Sequence, residues 1–125
     1  MASILSFASR VFRTRDPARD AATDRDRLMS IRATIVATID SATRERDGLR
    51  RRVDAYFASA SHILDQAEFD ERSAADETAI VEAERQGSAG LQRIAAIDAH
   101  LERLNDLLAY LDRQDDRQLA LAAQH

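Results

Sequence analysis

Three histidines, His62, His100 and His125, are the side chains best suited to proton transfer or metal ligation near neutral pH. Their spacing favours neither. Asp98, His100 and Glu102 are close in sequence, but positions two apart point to different faces of a helix. No Glu-x-x-His pair occurs, so the two-metal carboxylate pattern of helical bundles is absent. The chain has no cysteine, which removes disulfides, thiolate nucleophiles and thiolate metal sites. Gly87-Ser88-Ala89-Gly90 lacks the preceding strand and the lysine of a phosphate loop. Serine and aspartate are plentiful, yet nothing marks one of them as activated. The expectation is a non-enzymatic chain with no catalytic residue, no metal and no cofactor.

Arginine offers a different chemistry. Arg44, Arg46, Arg50, Arg51 and Arg52 fall within one short stretch and together suit phosphate backbones. Glu45 and Asp47 lie among them, the chain as a whole carries a net charge of -4, and no aromatic residue is interleaved for base stacking. A solvated or salt-bridged helix face explains the cluster more simply, and nucleic acid is disfavoured as a partner.

The third candidate is residues 1–15. Ile4, Leu5, Ala8, Val11 and Phe12 share one helical face, with Phe7 at its margin. Arg10, Arg13 and Arg15 supply positive charge, and the segment holds no acid. A short basic amphipathic helix of this kind suits an anionic membrane surface. The same face also suits packing on another protein, on the rest of the chain or on a second copy.

These candidates sit on a framework that composition narrows sharply. The chain has 125 residues with 3 Gly and 1 Pro, too few turn formers for a sandwich or barrel. No apolar run approaches the roughly 20 residues of a membrane span. Charged residues reach 32%, as in a long helical rod with much surface. All 18 basic residues are arginine, as expected of a GC-rich bacterial genome. The expected class is all-α and the expected location is the cytoplasm, with attachment at the inner membrane if residues 1–15 bind lipid.

Asp16-Pro17 reads as an N-cap followed by a first helical residue. From Leu28 the apolar positions recur at alternating spacings of four and three. One row reads Leu28, Ile35, Ala42, Leu49, Tyr56, Ile63. Its companion reads Arg32, Ile39, Arg46, Val53, Ala60, Ala67 and is weakened by its two arginines. The phase passes through Gly48 without a slip. This predicts a first helix over about 17–68. The signal fades over 65–79, where Ser73 and Asp76 read as an N-cap and a first-turn acid.

The second helix is expected over about 74–114. Ile80, Ala83, Gly87, Gly90, Ile94, Ile97, Leu101, Leu104, Leu108 and Leu111 keep a heptad repeat throughout. Fraying is expected near Asp115-Asp116, leaving 117–125 as a tail.

Two long helices and a short turn make an antiparallel coiled-coil hairpin over 16–116. A turn centred near Arg72 places residue i opposite about 144 − i. Tyr56 and Phe57 then face Gly87 and Ser88 with Gly90 nearby, so bulky residues meet small ones. Gly48 would face Ala95, Ala96 and Ile97. Charge agrees, since 1–62 hold 12 Arg against 8 acids and 63–125 hold 6 Arg against 14. The competing architecture makes 86–90 a loop and gives a three-helix bundle.

Apolar residues off the seam, among them Ile31, Val36, Phe57, Leu64, Val81, Leu91, Leu107 and Tyr110, widen the stripe beyond a two-helix contact. The expected function is therefore a helical assembly or adaptor protein that self-associates as a homodimer or higher oligomer and contacts another protein. The alternatives are a peripheral membrane protein using residues 1–15 and a nucleic-acid module using Arg44–Arg52.

Overall fold

The computed structural model describes residues 16–67 and 72–124. Two helices pack side by side: α1 spans Pro17–Ala67 and α2 spans Ala74–Ala123. The proposed short N-terminal helix lies outside the described residues, as do residues 68–71.

Both helix starts follow from their caps. Asp16 Oδ1 accepts from the Ala18 amide at 3.0 Å, satisfying one of the orphan donors ahead of the first turn. Pro17 has no amide to orphan and occupies the first helical position. Ser73 Oγ accepts from the Asp76 amide at 3.1 Å, and Asp76 reaches back to the Ser73 amide at 3.4 Å. This reciprocal capping box starts α2 at Ala74.

The helices run uninterrupted through all three glycines, and none of these has a positive φ. The three-helix alternative fails on this point, because α2 passes straight through Gly87–Gly90. Burial explains why. Gly87 is a buried position of the seam, where packing against α1 outweighs the roughly 1 kcal/mol that glycine costs in a helix. The expected fraying at Asp115-Asp116 also does not occur. α2 continues to Ala123, carried by the strong helix formers Leu119, Ala120, Leu121, Ala122 and Ala123.

The core is one seam. Ile80, Ile94, Ile97, Leu101 and Leu104 of α2 are buried, with Val53 and Ala60 of α1. The heptad row of α2 faces α1 along its length, and Leu108 and Leu111 remain half-buried at its end. On α1 the balance differs from the sequence reading. The row judged stronger, from Ile35 to Ile63, is only half-buried, and Leu28 is half-exposed. The row with the two arginines supplies the buried residues. Arg32 and Arg46 do not interrupt it, because their guanidinium groups reach past the seam edge to acids on α2.

Candidate interaction faces

Three ion pairs cross between the helices, and they divide the rod into two flanks. Arg32 Nε meets Asp112 Oδ1 at 2.9 Å and Nη2 meets Oδ2 at 3.3 Å, a bidentate pair. Arg46 Nη1 reaches Asp98 at 3.4 Å and its Nε reaches Asp47 at 3.4 Å. Both interhelix pairs obey the expected register of 144 − i. They share a flank with Phe57, whose ring lies over Gly87. Glu45 and Arg93 pair on the opposite flank, with contacts of 3.0 and 3.3 Å.

Hydrogen bonds to arginine set the perturbed acidities. The Arg32 guanidinium holds the Asp112 carboxyl below its ordinary value, and Asp112 raises Arg32 in turn. Hydrogen bonds from Arg85 and Gln86 lower Glu82 to about 2. All these side chains face solvent, so the pairs guide register and contribute little stability.

The flank with Arg32 and Arg46 is acidic. Its seven-spaced rows carry Asp26, Asp40, Asp47 and Asp54 on α1, and Glu77, Glu84, Asp98, Glu102, Asp112 and Asp116 on α2. Only Arg19 and Arg50 oppose them in those rows. Phe57, Leu64, Val81 and Leu91 are exposed on this side.

The opposite flank is nearly balanced. Asp20, Asp24, Glu45 and Glu82 stand against Arg27, Arg52, Arg93, Arg103 and Arg117. It contains a groove of about 300 Å³. Leu49, Val53, Tyr56, Ala89 and Gly90 line its floor, and Arg52, Gln86 and Arg93 form its rim. The groove exists because α2 presents Ala89 and Gly90 where α1 presents large side chains. Ile31, Leu107 and Tyr110 lie on this same flank towards the open end of the hairpin, and each is more than half exposed. Small residues lie beyond them on α1, where Ser30, Ala33, Thr34, Ala37, Thr38 and Ser41 line a shallow hollow.

The arginine cluster is not brought together as one patch. Arg46 is half-buried and committed to Asp98 and Asp47. Arg50 lies on the acidic flank, Arg44 and Arg51 on the outer face, and Arg52 on the groove rim. Residues Ile4, Leu5, Phe7, Ala8, Arg10, Val11, Phe12, Arg13 and Arg15 lie outside the described residues. His62 and His100 are exposed, and no ion pair joins His62 to Glu82 among the described residues. Among those residues no group of three or more His, Asp or Glu is placed to hold a metal ion. None of the described helices is long and apolar enough to cross a membrane.

Of the helix-packing residues read from sequence, Gly87, Ile94, Ile97, Leu101 and Leu104 are buried. Tyr56, Gly90, Leu108 and Leu111 are half-buried, and Phe57 sits at the flank. Gly90 receives Val53 and not an aromatic ring. Gly48 meets no residue of α2; a Cβ there would touch only the Arg51 side chain, at 3.8 Å. The groove was not foreseen. The pairing of Tyr56 with the Gly87–Gly90 stretch was its one visible sign.

Comparison with family models, with curated proteins and with solved structures finds no match to this chain.

Proposed function

We propose that this chain is a non-enzymatic helical assembly protein that associates with itself and, as an assembly, with another protein. One observation carries the reading. A rod of two helices buries seven apolar side chains in its seam, yet leaves eleven large ones exposed. Such an excess on a two-helix rod favours a further protein surface as cover. A second copy is the simplest cover, because two-fold dimers are the commonest oligomers and two hairpins make a four-helix bundle. The cytoplasm is the proposed setting.

Sedimentation equilibrium at low micromolar concentration tests the reading. The expected result is a mass at or above twice the 14.0 kDa of the chain. A single folded species at 14.0 kDa overturns it. Membrane attachment is the second reading and rests on residues 1–15, which pair an apolar face with three arginines and no acid. Flotation with liposomes containing anionic lipid, with and without those residues, decides it. Binding that survives their removal rejects the segment as the anchor.

A further inference from the structure

We propose that two copies pack antiparallel through their groove flanks, about a two-fold axis at mid-rod, with Ile31 and Tyr110 of each copy seated at the groove of the other. This rests on the reading that the chain self-associates, and adds which face is shared and in which direction.

Charge selects the face. A two-fold contact sets a surface against itself. On the acidic flank that would bring rows of carboxylates together, and Arg19, Arg32, Arg46 and Arg50 are too few to offset them. Like charges directly opposed across an interface disfavour the contact. The groove flank carries nearly equal numbers of each sign and incurs no such repulsion. It also holds the half-buried Leu49 and Tyr56 beside the exposed Ile31, Leu107 and Tyr110.

Shape selects the direction. In the register of 144 − i, the centres of the two helices average to one level, near Arg44 on α1 and His100 on α2. Antiparallel rotation about that level carries Ile31 to within one residue of Tyr56, at one end of the partner's groove. It carries Tyr110 to the level of Gly90, within the groove lined by Ala89 and Gly90. Bulky side chains then meet the hollow, and the rods overlap along their full length of roughly 75 Å. The same rotation brings Arg117 to within about half a helical turn of Glu82. A parallel arrangement would set groove against groove and Tyr110 beside Ile31, leaving one level empty and the other crowded.

The chain lacks cysteine, so single introduced thiols report position without ambiguity. The full-length protein carrying His100→Cys places its two thiols near the axis. Ser73→Cys places them at opposite ends, separated by about 80 Å along the rod. Under oxidation, the expected result is a covalent dimer from His100→Cys and none from Ser73→Cys. Tyr110→Glu, at an exposed site, is expected to weaken the dimer by about tenfold or more with helical circular dichroism unchanged. Leu91→Glu on the acidic flank is expected to leave the dimer intact. A cross-link from Ser73→Cys without one from His100→Cys overturns the direction. A dimer broken by Leu91→Glu but not by Tyr110→Glu overturns the face. Both outcomes leave self-association standing, whereas a wild-type monomer in sedimentation removes self-association and this geometry together.

Discussion

The Phe57 ring occupies the space where Gly87 would carry a side chain. A Cβ built at Gly87 would lie 2.6 Å from Phe57 Cζ. A glycine inside a 50-residue helix is thus a packing device, and its φ is not positive. The same holds at Gly90, where the Cβ would meet Val53 Cγ2.

The three glycines should therefore respond differently to alanine. Gly48→Ala meets only an ordinary contact with the Arg51 side chain and gains helix propensity, so it should stabilise by up to about 1 kcal/mol. Gly87→Ala pushes the end of a ring that is 37% exposed and free to swing outward. Lost ring packing and gained propensity then roughly cancel. Gly90→Ala drives into Val53, which is 3% exposed and has no room to yield. That variant should lose about 1–3 kcal/mol. Chemical denaturation of the three variants should give the order Gly48, Gly87, Gly90, from most to least stable. Gly90→Ala as stable as wild type would show that Val53 does not fill the space.

Truncation in the seam should be far costlier than truncation outside it. Leu101→Ala and Leu104→Ala remove buried side chains and should each cost about 2–5 kcal/mol. Val81→Ala, on a residue 61% exposed, should stay within about 0.5 kcal/mol. Thermal melts that barely separate the two classes would place the seam elsewhere.

The sequence made α2 legible because its ten seam positions are apolar or glycine, so period and face agree. It made the register legible through volume, since only one alignment sets Tyr56 and Phe57 against Gly87. The face of α1 was harder to read. Arg32 and Arg46 counted against their own row, although a guanidinium on a long stem leaves its methylenes on the seam and reaches out to Asp112 or Asp98. The groove was out of reach for another reason. Its floor needs Leu49 and Tyr56 from one helix and Ala89 and Gly90 from the other, and no single-helix period encodes their meeting.

Acid should loosen both the Arg32–Asp112 pair and the Glu82 cluster, each followed at its own carboxyl signal. Each carboxylate is favoured as the anion in the folded chain, so folding lowers its pKa. Between the folded and unfolded values the unfolded chain binds more protons, and stability rises with pH across that window. The contribution of Glu82 is therefore complete above its ordinary value of 4.5 and is lost as pH falls towards about 2. That of Asp112 is lost below its ordinary 3.8. Carboxyl-carbon NMR titration should show Glu82 titrating at about 2, below an ordinary glutamate, and Asp112 below an ordinary aspartate. Arg85→Ala removes the guanidinium hydrogen bond that does most to hold Glu82 low and should move that midpoint up towards 4.5, with Asp112 unmoved. Arg32→Ala should do the reverse, returning Asp112 to the ordinary range and leaving Glu82 low. Added salt should shrink both shifts, because the pairs are exposed. An Asp112 midpoint indifferent to Arg32→Ala would mean that this interhelix bridge does not form in solution, and that Arg46–Asp98 and the glycine contacts hold the register without it.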